Sequence, residues 1–565
     1  MTDQADTQIR VMDLFAGPGG LGEGFATLEP RPGDWPFRII ASVEKDPAAC
    51  RTLRLRGFYR RLAQTSDRPA LEAYYAYVRG ERESPVESGS AVARTAWQQA
   101  DQEVLKHTLG QPETGPVLQA AIDQARVSRK TPLVLIGGPP CQAYSTVGRS
   151  RNAGTASYRP EQDNRHFLYR VYLDLLCRYR PAAFVMENVK GILSSHIAGR
   201  RLFPRILQDL TSPTTGEGQD GRRKSPQYRL YSLIDGCSFR RGQNSDSIRP
   251  EQFIIQAEYY GIPQTRHRVI LFGLREDLAK QLDRLGCPFP CLSPLTGPDS
   301  RLSSVSARQV LADLPPLRSG LSWLQTTYPV GDWYETLSAL ASDFAPMIED
   351  PELRAAFEQA ARRAAASDHP SGGRSVAATG AGDLDTLPTE LATWYRGHDP
   401  PLVLNHETRN HMPEDLARYL YCAVYARLKG VSPRAAQFPA ALAPRHQNWE
   451  TGKFDDRFRV QVADQPATTV MSHMAKDGHY FIHYDPGQCR SLTVREAARL
   501  QTFPDSYFFK SNQTHKSVEN TVCGLTGKLS FVKNMLSVVG KKLYFGKKLF
   551  GHMEWLAFVG RKIYL

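Results

Sequence analysis

Leu133-Val-Leu-Ile-Gly-Gly-Pro-Pro-Cys-Gln142 joins four apolar residues to a glycine turn, two prolines and a cysteine. The apolar run has the length of a buried strand, and Gly137-Gly138 supply a sharp turn. Cys141 then falls at the C-terminal end of a strand, the edge where open α/β sheets bind their ligands. A thiol on such a loop is a candidate nucleophile. A free cysteine is also a common small core residue, and this residue alone leaves both readings open.

Working outward, Ile9–Ala16 reads as a first strand that runs into a glycine-rich turn, and Phe37–Val43 as a second that ends at Glu44. Strand-like runs recur at 182–186 and 268–273, with a helical pattern at 166–179 and polar helical sequence from Phe58 to Lys130. Alternating strands and helices predict a doubly wound, Rossmann-like α/β domain over residues 8–285. From about 286 proline, glycine and serine become frequent, and 363–385 reads as a surface loop. Residues 286–470 are therefore expected to form a second, irregular domain. A segment over 471–509 would return to the first domain, with a helix over 492–503. Residues 510–565 form a distinct lysine-rich tail, and no internal repeat is visible.

The chain has 565 residues and a net charge of +13, which points to a polyanionic partner. Much of that charge sits in the tail, where nine lysines and Arg561 face only Glu519 and Glu554. The body is mildly basic, so a nucleic-acid argument must rest on its site chemistry. No run of about 18 apolar residues is present, so no membrane span is expected. Met1-Thr-Asp-Gln-Ala-Asp lacks the basic and apolar parts of a signal peptide. The nine cysteines are scattered. Cys287 and Cys291 form the one close pair and have no matching His/Cys pair, so no metal is expected. A reduced, cytoplasmic setting fits this usage.

Three further segments carry chemistry. Asp13-Leu-Phe-Ala-Gly17-Pro-Gly19-Gly20-Leu-Gly22 is a strand-to-helix turn whose glycines let a ligand approach the backbone. Glu44 is placed to accept hydrogen bonds from ribose hydroxyls. The glycine spacing fits neither a dinucleotide fingerprint nor a phosphate loop, so a nucleoside-type ligand without a polyphosphate is expected. Phe184-Val-Met-Glu187-Asn188-Val189 puts a carboxyl at a strand end, where it can serve in acid–base chemistry or simply begin a helix. Arg266 and Arg268 alternate, face the same way on an extended chain, and can hold a phosphate or carbonyl oxygen. A solvated basic strand start is the plain alternative.

In this order the pieces resemble the DNA (cytosine-5) methyltransferases. The matching segments are Asp13–Gly20, Glu44, Gly138-Pro-Pro-Cys-Gln142, Asp163-Asn-Arg165 with Leu168, Glu187-Asn-Val189 and Gln264-x-Arg266-x-Arg268. Arg495-Glu-Ala-Ala-Arg-Leu-Gln-Thr-Phe-Pro-Asp505 is a further match, and together they span about 10–275 and 465–507. The resemblance implies that Cys141 adds to C6 of a cytosine turned out of duplex DNA. Glu187 would contact N3 and the exocyclic amine, while Arg268, helped by Arg266, would hold the carbonyl or a neighbouring phosphate. The methyl donor would be S-adenosylmethionine, bound by Phe15, Gly17, Gly19, Glu44, Pro140 and Leu168. Gln142, Ser145, Asn188, Gln264 and Arg165 would position DNA or the base. The loop after Cys141, with Arg149, Arg151 and Arg159, would close over DNA.

Residues 286–470 would be the target-recognition domain, ending near Gln465-Pro-Ala-Thr-Thr-Val470, with His406, Arg409, His411, Arg445 and His446 as candidate DNA contacts. The implied partners are double-stranded DNA and a restriction endonuclease acting on the same site. The protein would be a monomer in the bacterial cytoplasm. An RNA cytosine-5 methyltransferase is the alternative enzyme. Family members usually carry an acid that meets the adenine amine; Asp101 and Asp123 are the available carboxylates, neither in a fitting context. Relatives also continue past Phe-Pro-Asp505 to Gly-Asn-Ala-Val-Pro-Pro, which no segment here matches. Lysine occurs as often in 510–565 as in all the preceding residues, and the tail has no proline. A replaced or frameshifted C-terminus, which would leave a DNA-binding relic, is the expectation weighed against a lineage-specific extension.

Overall fold

The computed structural model describes residues 8–510 apart from 30–31, 66, 87–89, 141–163, 198–199, 215–224, 287, 290, 297–302, 323–331, 379–385, 397–401, 445–448, 450–454, 472–473 and 475–477. At 164–167, 197 and 200 it describes the backbone alone.

Strands β1 (Ile9–Leu14), β2 (Phe37–Glu44), β3 (Val104–Lys106), β4 (Leu133–Gly137) and β5 (Ala183–Val189) are parallel, in the order β3-β2-β1-β4-β5. The sheet continues antiparallel with β6 (Tyr228–Tyr231), β7 (Ser238–Phe239), β8 (Ile254–Gln256) and β9 (His267–Arg275). Nine strands result, the path running β5-β9-β6-β7 with β8 also on β9. Met12, Leu14, Val43, Leu135 and Met186 enter one core, whereas Val11, Ile39, Val134, Ile136 and Val185 enter another. The strands are thus apolar on both faces, as a parallel sheet covered on both sides requires.

Helices α1 (Gly20–Ala26), α2 (Pro47–Ala63), α3 (Arg68–Arg79), α4 (Ala91–Glu103), α5 (Thr114–Gln124), α6 (Asn164–Tyr179) and α7 (Leu202–Thr211) connect these strands or follow them. Tyr172 and Leu176 of α6 and Ile206 and Leu210 of α7 fill the first core, and Leu21 and Phe25 of α1 the second. This is the doubly wound α/β arrangement that the strand–helix alternation predicts. Strand β3 lies inside the stretch read as helical, and at three residues it is too short to show a period.

The region after 286 is more regular than its composition suggests. Helices α8 (Trp333–Phe344), α9 (Pro351–Ala365) and α10 (Pro413–Lys429) pack around Leu337, Phe357, Leu416 and Leu420. Asp332 and Asp350 cap α8 and α9 by accepting from backbone N–H groups at the helix starts. The expected loop over 363–385 is replaced in part by a strand. Helix α9 runs to Ala365, and β10 (Gly372–Ala377) pairs antiparallel with β11 (Leu402–Glu407). Leu404 of β11 and Phe508 join the core that Phe58, Tyr59 and Tyr74 make on α2 and α3, so this strand pair packs on the first region. Helix α11 (Val494–Leu500) opens with a capping box between Thr493 and Glu496. Among the described residues no helix is long and apolar enough to cross a membrane.

Candidate active site

The parallel strands bring one edge of the sheet together. Leu14 is level with Gly137, and Gly137 with Met186, so the segments after β1, β2, β4 and β5 all leave at the same edge. Strand β9 is antiparallel and begins there, with Arg268 opposite Val189 and Ile270 opposite Glu187.

Gly138 packs on the carboxylate of Glu187. A Cβ at 138 would lie 2.8 Å from Glu187 Oε2 and 3.2 Å from the Glu187 carbonyl oxygen, so the close approach needs glycine. Arg268 Nε lies 2.8 Å from Glu187 Oε1, with both side chains nearly buried. Among the described residues no hydrogen bond reaches Glu187 Oε2. Arg266 is 1% exposed, and burial together with the nearby Arg268 charge pushes its guanidinium well below the usual arginine range. Arg268 is lowered by burial too, against the pull of Glu187. Two buried guanidiniums and one carboxylate therefore share the sheet edge where the chain leaves β4 at Gly138-Pro139-Pro140.

The remaining residues expected at this site fall in different places. Cys141, Gln142 and Ser145 lie outside the described residues, as do Arg149, Arg151 and Arg159, and the Arg165 side chain is likewise not described. Asn188 is buried, and its Oδ1 accepts from the Val189 N–H at 2.9 Å. Gln264 is fully buried, and its amide nitrogen donates to the Leu500 carbonyl at 3.2 Å, so it ties the site to α11. Gln264 and Thr265 pair in parallel with Ala467 and Thr468, which brings the 465–470 segment alongside Arg266. Thr469 Oγ1 closes this junction by donating to the Thr265 carbonyl at 2.6 Å.

On the other half of the edge, Phe15 leaves β1 at φ 55, a conformation that a bulky residue adopts only under constraint. Glu44 Oε2 accepts from the Gly17 N–H at 2.9 Å, and Oε1 from Lys45 and Asp46 at 2.8 and 2.9 Å. A carboxylate offers about four acceptor sites, so Glu44 can still take a ligand hydroxyl. Phe15 and Leu168 are half-buried apolar side chains. Leu168 lies in the first turns of α6, which starts on the carboxyl side of β4. A carboxylate beside apolar side chains fits a nucleoside, and these residues would hold one.

Asp101 and Asp123, the acids weighed for the adenine, sit elsewhere. Asp101 pairs with Arg54 on the face of α4, and Asp123 accepts from Gln119 on α5. Strand β3 is followed instead by His107, whose N–H donates to the Glu44 carbonyl at 3.1 Å. Two of the expected DNA contacts are corrected as well. His406 is fully buried, its ring nitrogens 2.9 Å from Thr493 Oγ1 and 2.8 Å from the Pro315 carbonyl oxygen. His411 is buried with Nε2 3.2 Å from the Ser491 N–H. Burial lowers His406 to about 4 and holds His411 well below the usual range, so both are neutral structural residues near pH 7. Arg409 is half-buried and donates to the Met474 carbonyl. Arg445 and His446 lie outside the described residues. Among the described residues no group of His, Cys, Asp and Glu is arranged to hold a metal ion.

Sequence comparison yields consistent relatives. A profile of the family described as C-5 cytosine-specific DNA methylase matches residues 87–213 and 403–524. The type II methyltransferase M.Bpa9945I of Bacillus paralicheniformis is 30% identical over 519 residues, which cover 89% of this chain and 93% of that protein. The type II methyltransferase M.AgeI of Thalassovita gelatinovora is 26% identical over 536 residues, covering 92% and 97%. The type II methyltransferase M.DdeI of Desulfomicrobium norvegicum is 24% identical over 390 residues, covering 68% and 66%.

Proposed function

The chain belongs to the C-5 cytosine-specific DNA methylases, and from that premise we propose how its residues divide the work. The protein is a DNA (cytosine-5) methyltransferase. The single observation that carries the site assignment is the Glu187–Arg268 pair packed against Gly138, three residues before Cys141 in the sequence.

Cys141, as thiolate, adds to C6 of a cytosine turned out of the duplex. As the S–C6 bond forms, the C5=C6 π electrons shift to C4–C5 and the negative charge is taken up at N3. Glu187 stabilises that charge: a carboxyl group can donate to N3 and accept from the exocyclic amine at once. Arg268 and Arg266 hold the base carbonyl or an adjacent phosphate oxygen. S-adenosylmethionine, when bound, supplies an electrophilic methyl group to C5. Loss of the C5 proton to a base and rupture of the S–C6 bond then restore the ring and the thiolate.

Glu44 takes the ribose hydroxyls of the cofactor, while Phe15 and Leu168 pack on its apolar faces. Gly17, Gly19 and Pro140 line its path, and Gln264 and Asn188 hold the walls of the base pocket. Gln142, Ser145 and Arg165 position DNA. Residues 286–470 read the target sequence, and 471–509 carry that region back to the catalytic domain. The names of the relatives support a restriction–modification role; an endonuclease of the same specificity as partner and a monomer as working unit complete the proposal.

Labelled-methyl transfer to duplex DNA tests this reading. Wild-type protein is expected to label duplex DNA and not RNA, and Cys141→Ser to label neither while retaining specific DNA binding. Turnover in Cys141→Ser would overturn the nucleophile assignment.

A further inference from the structure

The glycine turn at the cofactor end of the site is gripped by a segment distant in sequence. The Tyr507 hydroxyl donates to the carbonyl oxygen of Pro18, inside that turn. Gly19, next to it, has φ +95, and a Cβ there would lie 2.5 Å from Leu53 Cδ2 and 3.2 Å from the Tyr507 oxygen. Leu53 and Tyr507 thus wall the turn on the side that a side chain at 19 would occupy.

Tyr507 is itself fixed. The Arg56 guanidinium stacks 4.8 Å from the Tyr507 ring and donates to the Ser506 carbonyl at 3.2 Å and to Ser506 Oγ at 3.1 Å. Arg56 also donates from Nε to Glu23 Oε1 at 2.9 Å. Glu23 lies on α1, which begins where the turn ends. Arg56 is therefore bonded to the far side of the turn and to the segment that presses on it. Glu23 and Arg56 are both buried. Arg56 and Arg60 hold the Glu23 carboxyl below its ordinary range against the burial that would raise it.

The segment around Tyr507 is tied in turn to the later part of the chain. Arg495 donates to the Leu404 carbonyl at 2.8 Å and to the Pro504 carbonyl at 3.1 Å. The Asn405 side chain bonds the Phe509 backbone in both directions, at 3.1 and 2.9 Å. Asn405 stands at φ 57, which asparagine tolerates better than most residues. One continuous chain of contacts therefore runs from β11 and α11 through Tyr507 to Pro18.

We propose that Tyr507 is a positioning residue for the cofactor turn, and that its hydroxyl couples the shape of residues 15–20 to the seating of the 402–407 and 494–510 segments. This rests on the reading of that turn as the cofactor site. Tyr507 touches no reacting atom; it fixes a carbonyl whose loss of a partner would free the turn to move. A buried carbonyl left without its donor costs enough to shift a local equilibrium about tenfold.

The test uses the full chain with Tyr507→Phe, which keeps the ring and removes the hydroxyl alone. Amide hydrogen–deuterium exchange without cofactor is measured on peptides covering 16–25 and on peptides from β4, β5 and α6. The expected result is exchange about tenfold faster in 16–25 with the other peptides unchanged. Calorimetry with S-adenosylhomocysteine should show a Kd about tenfold weaker, with unchanged affinity for duplex DNA. Arg56→Lys, which keeps the charge but loses the fork to Glu23 and Ser506, should move the same peptides in the same direction. Unchanged exchange at 16–25 in Tyr507→Phe, or an equal rise in every peptide, would overturn the proposal. If the wild-type protein bound no S-adenosylhomocysteine, the cofactor reading of the turn would fall, and the exchange result would still decide the coupling.

Discussion

Two buried carboxylate–guanidinium pairs in this molecule use the same groups for different ends. At α11, Glu496 receives Arg490 Nη1 on Oε2 at 2.8 Å and Nη2 on Oε1 at 2.6 Å, and its Oε2 also takes the Thr493 N–H at 2.7 Å. Arg490 further donates to the carbonyls of Leu317 and Ser491 at 3.1 and 3.0 Å. That pair is saturated, and Arg490 and the neighbouring histidines hold the Glu496 carboxyl far below its ordinary range. At the sheet edge, Glu187 has one ion pair among the described residues, to Arg268, and an oxygen facing Gly138. Saturated groups have nothing left to offer a ligand. The open pair keeps hydrogen-bonding capacity for a base.

The comparison breaks most sharply on Glu187→Gln. Methyl transfer should fall by about 10²–10⁴-fold, the usual range for losing a positioned acid–base group. The melting transition should shift less than for Glu496→Gln. That second substitution leaves Arg490 buried with a weakened partner, and denaturant unfolding should show a loss of roughly 3–5 kcal/mol. Equal stability losses from both variants would remove the distinction between the pairs.

Gly138→Ala sharpens the same comparison with a smaller effect. The new Cβ would press on Glu187 Oε2 at 2.8 Å. Displacing that carboxylate should lower kcat by about tenfold, and strain of about 1–3 kcal/mol should appear in denaturant midpoints. An unchanged kcat would mean that Glu187 can shift without cost.

Acid titration separates the two regions by a different route. His406 and His483, both beside Glu496, are lowered to about 4 by burial. The unfolded chain takes up their protons near 6.5, whereas the folded protein does so only near 4. Unfolding therefore becomes easier as pH falls from about 6.5 toward 4, by roughly 1.4 kcal/mol per unit for each histidine. Denaturant melts across that range should show the slope, and His406→Gln should reduce it.

The sheet was legible because its strands carry their own signal. The runs at 9–14, 37–44, 133–137, 183–189 and 267–275 are apolar on both faces, whereas Val104-Leu-Lys106 of β3 is too short to carry a pattern. The β10 strand, Gly372-Gly-Arg-Ser-Val-Ala377, has no apolar alternation, so only its pairing with β11 makes it a strand. Glu187, Arg266 and Arg268 were legible as strand-end groups in a recognisable order. His406 and His411 were not legible as core residues, since their partners lie at Pro315, Ser491 and Thr493. The Tyr507 contact was hidden for the same reason: Arg56 and Ser506 stand 450 residues apart. Local pattern predicts elements and the groups at their ends. It is blind to polar contacts that tertiary packing alone creates.

The most direct test of the open pair as the catalytic one is bisulfite sequencing of DNA from cells that express the full chain, its Glu187→Gln variant or neither. Protected cytosines within one recurring sequence are expected for the wild type, and their loss in the variant. Equal protection in the variant and the wild type would contradict the catalytic role of the open pair.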